Sequence, residues 1–212
     1  MQIELRFRFH AFRLLLILLF FWGFQASLTA QSRRLIQSKV GQEALFQEGM
    51  RHFIKEDYSE SILVWESLFT VVPKEPAIAF YLAKAYLAEK NPESSLIYAR
   101  KAHELSPYSL DYGLFFAEQL LEDKQVSEAI TCLTKLSQYD ESHPEVNLLL
   151  AQAYLWGEEG EKALKSLDRA DHYVGEYPAI IRTKEFILMK QGQLLKALKA
   201  GQRLVDLDEE EL

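Results

Sequence analysis

The sequence predicts an all-α fold, a solenoid of helix-turn-helix repeats stacked along the chain. Two observations support this prediction: residues of one size class recur every 34 positions, and the register runs through the chain without an insertion or deletion. Fixed-period self-similarity of this length is typical of stacked repeat arrays. Three columns carry the register: Gly49, Ala83, Ala117 and Ala151; Ser61, Ser95, Ala129, Ala163 and Ala197; and Ile62, Leu96, Ile130, Leu164 and Leu198.

The two columns of small residues indicate where the helices of each hairpin cross. Only small side chains fit where helix axes approach to roughly 8–10 Å. Larger residues then fill the space around the crossing, as Tyr86, Tyr154 and Trp65 are placed to do. Because one hairpin cannot bury such an apolar face alone, each repeat must pack against its neighbours.

The pattern of small, aromatic and proline residues resembles the tetratricopeptide repeat family. The first unit matches at Leu45, Gly49, Tyr58, Trp65 and Pro73, and the fourth at Leu150, Ala151, Tyr154, Ala163 and Ala170. The resemblance implies a right-handed superhelix of about five repeats, with first helices lining a concave groove and second helices forming the outer wall. Counted from Gln42, the repeats span 42–75, 76–109, 110–143, 144–177 and 178–211.

Two repeats depart from the family pattern. The third has Gly113 where a large residue is usual. The fifth has Glu185 in the small-residue column and Gly201 in a place where the family carries an aromatic residue. Terminal repeats of such arrays are commonly atypical, and the fifth repeat fits that expectation.

Residues 1–30 have the layout of a secretory signal peptide. Arg6, Arg8 and Arg13 precede an apolar run at 14–24, and small and polar residues follow up to a predicted cleavage after Ala30. The run is 11 residues long, roughly 16 Å as a helix, whereas the hydrocarbon core of a bilayer is about 30 Å thick. This layout favours removal and export. An uncleaved membrane anchor and a cytoplasmic amphipathic start remain as alternatives.

The charge balance argues against nucleic acid as a partner. The whole chain carries a net charge of −7, and the mature chain would carry −9 because residues 1–30 contribute +2. An acidic surface repels phosphate backbones, and we expect no stripe of lysine or arginine along a helix face. Residues 31–41 are polar and basic, and we interpret them as a linker or lead-in helix.

No set of residues has the spacing that catalysis, a cofactor or a metal would require. The five histidines occupy unrelated places in the repeats, and no glycine-rich phosphate loop is present. Cys132 is the single cysteine. It is interpreted as a small residue of the third repeat's core, with an intermolecular disulfide as the alternative. The sequence therefore predicts no enzyme, no cofactor and no metal site.

The resemblance implies that the groove lined by the first helices binds a protein or peptide. Lys84 is the main cation there, and the lysine–asparagine pairing that captures a terminal carboxylate in some family members is absent. An apolar groove of this kind suits an amphipathic helix or an extended apolar peptide. The candidate groove residues are Met50, Phe53, Phe80, Lys84, Glu118, Gln152, Trp156 and Phe186.

The leading hypothesis is an exported, non-enzymatic protein-binding scaffold, periplasmic or secreted, that acts in envelope assembly. One alternative is a self-associating structural protein, because the predicted last helix at 194–207 exposes Leu198, Leu204 and Leu207 with no sixth repeat to cover them. Another is an assembly factor anchored in the inner membrane, which requires residues 14–24 to stay attached. The oligomeric state stays open between these alternatives.

Overall fold

The computed structural model describes residues 38–140, 142–174 and 177–210. In this part of the chain ten α-helices form five helix-turn-helix hairpins, and no strand occurs. The predicted all-α class with five such repeats is confirmed. The predicted signal peptide at 1–30 and most of the lead-in lie outside the described residues. The helices are α1 (Lys39–Ile54), α2 (Tyr58–Val71), α3 (Pro76–Ala88), α4 (Pro92–Leu105), α5 (Leu110–Glu122), α6 (Val126–Tyr139), α7 (Pro144–Trp156), α8 (Gly160–Val174), α9 (Pro178–Lys190) and α10 (Leu194–Glu210).

The chain divides into two compact units, residues 1–74 and 75–212. The described part of the first unit is the hairpin of α1 and α2. Its core is Trp65, which is fully buried and donates its indole N–H to the Phe46 carbonyl at 3.2 Å. The Ser61 hydroxyl donates to the Gly49 carbonyl at 3.1 Å, which joins the two helices at their crossing.

The second unit contains the four hairpins from α3 to α10. Proline stands at the first position of α3, α4, α7 and α9, where its missing N–H costs no helical hydrogen bond. Both small-residue columns are buried. Ala83, Ala117, Ala129 and Ala163 are fully inaccessible, and Ala151 is 1% exposed. Burial of these residues confirms that the 34-residue register marks the helix crossings.

The turn inside each hairpin repeats as strictly as the columns. One residue per turn adopts a left-handed backbone conformation, and the next residue donates its N–H to a carbonyl five residues earlier, as Asn91 does to Tyr86 at 2.9 Å. This hydrogen bond closes a Schellman motif at the end of each first helix. The left-handed residues are Glu56, Lys90, Lys124, Glu158 and Gly192.

Each glycine that departs from the repeat pattern faces a larger side chain on the other helix of its hairpin. A Cβ on Gly113 would lie 2.5 Å from Leu136 Cδ1, so the leucine of α6 fills the space of the missing side chain. In the fifth repeat a Cβ on Gly201 would lie 2.9 Å from Glu185 Oε1. The large residue of the first helix therefore lies against the glycine of the second.

The last helix extends farther than predicted, to Glu210 rather than Leu207. Its exposed apolar residues include Leu194, Leu195 and Leu198, and Leu198 is 70% accessible as expected. Leu204 is only half-exposed, and the side chain of Leu207 lies outside the described residues. Over the ranges given above, no helix combines the length and apolar character needed to cross a membrane.

Candidate functional site

Trp156 and Phe186, two of the predicted groove residues, line one cavity of about 550 Å³. Trp156 ends α7 and is 48% exposed, while Phe186 lies in the middle of α9 and is 53% exposed. Lys190 lies one turn after Phe186, with its Nζ 5.1 Å from the ring centroid. We call this the aromatic cavity. Its lining residues are Leu155, Trp156, Glu158, Gly160, Phe186, Ile187, Lys190 and Gln191.

The helical periodicity of α7 and α9 explains why these two rings remain exposed. Trp156 is the last residue of α7 and follows the buried Ala153 by about one turn, so its indole lies at the edge of the buried face where the helix ends. In α9 the buried residues Ile181, Lys184 and Leu188 share one face, and Phe186 lies on the opposite face. Large apolar side chains that remain exposed together are typical of protein-binding surfaces.

Glu118 and Gln152, two further predicted residues, line a second cavity of about 690 Å³. The lining contains four carboxylates and three leucines, and we call it the acidic cavity. Although the Glu118 side chain stays accessible, partial burial of its carboxyl raises its pKa. The lining residues are Leu87, Pro92, Glu93, Glu118, Gln119, Leu121, Glu122, Asp123, Leu149 and Gln152.

Phe80 and Lys84 lie together on α3, but neither is as open as Trp156. The Phe80 ring packs against Tyr112 and Phe115, with centroid distances of 4.9 and 5.5 Å. Lys84 Nζ lies 5.4 Å from the centroid of Phe80. Both predicted residues are half-buried, and the Phe80 ring packs against the next repeat, so part of their surface does not belong to a free binding face.

Met50 and Phe53 belong to the first unit and are also half-buried. The Phe53 ring contacts Tyr58 and Trp65, with centroid distances of 5.5 and 5.8 Å. Phe53 therefore supports the core of its own hairpin.

Cys132 and His103, residues of two types that serve in catalysis, lie in contact. Cys132 Sγ lies 3.7 Å from His103 Nε2, and burial raises the pKa of the thiol to about 11. Burial also lowers the pKa of His103, so a thiolate–imidazolium pair is disfavoured. Among the described residues, no three His, Cys, Asp or Glu side chains are grouped closely enough to hold a metal ion.

A family model described as the tetratricopeptide repeat matches residues 120–182, from the end of α5 to the start of α9. The predicted resemblance to tetratricopeptide repeats is confirmed. A comparison with curated proteins gives no match.

Solved structures with the same fold include proteins named MamA. A crystal structure of MamA protein has a TM-score of 0.74 and 14% identity, and the match covers 80% of this chain and 93% of that one. A MamA structure from Desulfovibrio magneticus RS-1, residues 41 to the end, has a TM-score of 0.70, 15% identity and coverages of 80% and 96%. At these identities the likeness shows the fold alone. Because tetratricopeptide arrays present extended binding surfaces, the family match at residues 120–182 supports a protein-interaction scaffold.

Three carboxylates of the acidic cavity were not predicted from the sequence: Glu93, Glu122 and Asp123. Glu122 and Asp123 end a first helix, and Glu93 lies in the first turn of a second helix. A search restricted to the groove faces of first helices omits such residues. The available signal was the spacing of Glu118 and Glu122, which are one helical turn apart.

Proposed function

We propose that this protein is an exported, non-enzymatic scaffold that binds a protein or peptide partner on the groove faces of its first helices. The observation that carries the proposal is the aromatic cavity, in which Trp156 and Phe186 are both about half exposed. In this cavity a partner can bury an apolar side chain against the exposed rings of Trp156 and Phe186. Such aromatic residues commonly supply a large share of binding free energy.

The acidic cavity adds a charge preference to the same surface. Its rim carries Glu93, Glu118, Glu122 and Asp123 around the apolar side chains of three leucines. Electrostatic complementarity favours a partner that presents lysine or arginine next to apolar residues. An amphipathic helix with one basic edge meets both requirements. The partner proposed here therefore differs from a peptide recognised by its terminal carboxylate.

Export of the chain is part of the proposal and depends on residues 1–30. The basic start and short apolar run favour removal by a signal peptidase and delivery to the periplasm or outside the cell, with envelope assembly as the setting. Mass spectrometry of the native N-terminus tests this directly. We expect a mature start near Gln31. An intact N-terminus would contradict export and support the membrane-anchored assembly factor.

Crosslinking the protein to its partner in envelope extract, followed by recovery of the crosslinked partner, tests the binding surface. The double variant Trp156→Ala/Phe186→Ala should lose the captured partner, because each lost anchor is expected to cost about 2 kcal/mol or more, and a 1.4 kcal/mol loss is about tenfold in affinity. The matched control is Ile97→Ala/Tyr108→Ala, which truncates two side chains that are 54% and 63% exposed and outside both cavities. Equal recovery of partner with both variants would refute this surface.

Self-association is a second candidate, favoured by one observation. Leu194, Leu195 and Leu198 on the last helix are 66%, 85% and 70% exposed. An exposed apolar helix face of this kind promotes association of copies, because association removes its leucines from water. Sedimentation should then show an oligomer that Leu195→Asp/Leu198→Asp dissociates. A monomer at tens of micromolar would eliminate this candidate.

A further inference from the structure

A third cavity, of about 350 Å³, lies among α6, α7 and α8. Its lining includes Thr134, Gln138 and Tyr154, together with Lys162, Lys165 and Arg169 from α8. We call it the basic cavity. None of these residues lines the aromatic or the acidic cavity. A ligand of the basic cavity is therefore independent of the protein partner proposed above.

The three cations of α8 contradict the expectation that no basic stripe follows a helix face. Lys162, Lys165 and Arg169 are spaced i, i+3 and i+7, which places them on one side of the helix. The expectation was wrong because other residues, among them Leu164, Leu167 and Asp168, separate the cations in the sequence. Only the helical period places the three cations on one side. In a chain with a net charge of −7, this is a local reversal of sign.

The cations differ in how far their charge is already compensated. Lys162 forms an ion pair with Glu159, and its Nζ lies 5.4 Å from the centroid of Tyr154. Lys165 and Arg169 have no ion-pair partner within the part of the chain that the structure describes. The described lining of the basic cavity also contains no carboxylate. Two positive charges there are left for a ligand to compensate.

The polar groups around the cavity are mainly hydrogen-bond donors. Arg169 offers a planar guanidinium, Lys165 an ammonium, Thr134 a hydroxyl and Gln138 an amide. The hydroxyls of Ser137 and Ser166 are already engaged, since they donate to Asn147 Oδ1 and to the Lys162 carbonyl. A ligand suited to this lining must carry negative charge and several acceptor oxygens.

We propose that the basic cavity binds a phosphate group, either as free phosphate or as the phosphomonoester of a small molecule or lipid headgroup. A phosphate dianion matches the two uncompensated cations in charge, and its oxygens accept from a guanidinium fork and an ammonium at once. A single carboxylate would leave one positive charge uncompensated. A nucleic-acid backbone is disfavoured because it would extend beyond the cavity across an acidic surface.

Calorimetric titration of the full chain with inorganic phosphate tests the proposal, and sedimentation with vesicles containing phosphatidic acid tests the lipid source. Lys165→Gln/Arg169→Gln should weaken binding about tenfold or more, because two charge-assisted contacts are removed. The matched control, Lys196→Gln/Lys199→Gln, removes the same charge from exposed residues of α10 outside the cavity, and its affinity should stay within about twofold.

Each outcome of this experiment either supports or overturns the proposed phosphate site. Phosphate binding that the first variant loses and the control keeps supports the site, and vesicle binding with the same variant dependence identifies the lipid source. Absence of binding to either probe would overturn the proposal. An equal loss in both variants would also overturn it, since binding would then follow overall charge. Circular dichroism of both variants shows whether they fold like the parent chain.

Discussion

The indole of Trp65 occupies the space that a side chain at position 49 would need. A Cβ on Gly49 would lie 2.3 Å from Trp65 Nε1 and 2.5 Å from Trp65 Cε2. The indole is fully buried and is held by its hydrogen bond to the Phe46 carbonyl. The equivalent pair in the fifth repeat is Glu185 and Gly201, in which the large residue and the glycine have exchanged helices. A hairpin therefore tolerates a large residue on either side of the crossing, provided that the other side is glycine or alanine.

Gly49→Ala should destabilise the first hairpin. Alanine improves helix propensity by up to about 1 kcal/mol, but overpacking against a fixed indole costs about 1–3 kcal/mol. We expect a net loss in the free energy of unfolding, measured by urea denaturation. The control is Gly157→Ala, whose Cβ would meet no atom nearer than 3.6 Å. A Gly49→Ala chain as stable as the parent would mean that the indole can move aside.

Gly201→Ala should have the opposite sign. The nearest atom to its Cβ would be Glu185 Oε1 at 2.9 Å, which is the far end of a flexible side chain. Rotation of the carboxylate relieves the contact, so the gain in helix propensity, up to about 1 kcal/mol, remains. The same urea measurement checks it. A loss of stability would show that Glu185 is held in place by its surroundings.

Gly49 and Gly201 show which part of the helix packing could be predicted from the sequence. Periodicity predicted the helix crossings because a small residue at a crossing is a requirement of each repeat by itself. The repeat pattern presents Glu185 and Gly201 as two separate departures. That the glycine makes room for the glutamate depends on a contact between residues 16 positions apart in the sequence. The candidate site divides in the same way. Trp156 and Phe186 lie on predicted groove faces, whereas the acidic and basic cavities combine side chains from several helices that only packing brings together.

Gly192→Ala isolates the cost of the left-handed turn. Gly192 has φ +72°, and a Cβ there would meet no heavy atom within 4 Å, so the penalty is conformational. We expect a loss of about 1 kcal/mol. Glu158→Gly, at the equivalent turn with φ 59°, should be stabilising for the same reason. Thermal unfolding of both variants provides the comparison, and equal signs for the two changes would contradict it.

Lys184 connects α8 and α9 through a largely buried ion pair. Its Nζ lies 2.8 Å from Asp171 Oδ2 and 2.9 Å from Asp168 Oδ1, and the side chains of Lys184 and Asp171 are only 11% and 14% exposed. Lys184→Met leaves the Asp171 carboxylate without its main partner, which should cost about 3–5 kcal/mol.

The double variant Lys184→Met/Asp171→Leu should recover most of that loss, because replacing a buried pair by apolar residues is often neutral or stabilising. Chemical denaturation of the parent, the single variant and the double variant measures the difference. If the double variant is no more stable than Lys184→Met, the cost comes from lost packing of the lysine chain rather than from an unpaired charge.

Cys132 should be unreactive in the folded protein. Burial raises the pKa of its thiol from 9.0 to about 11, and the side chain is 4% exposed. Since only the thiolate is nucleophilic, a rise of about two pKa units lowers the reactive fraction at pH 8 about 100-fold, before the steric effect of burial is counted. The rate of modification by an aromatic disulfide reagent should therefore rise at least about 100-fold when urea unfolds the chain. Equal rates in the folded and unfolded states would show that the third repeat opens readily, and would make the intermolecular disulfide a real alternative.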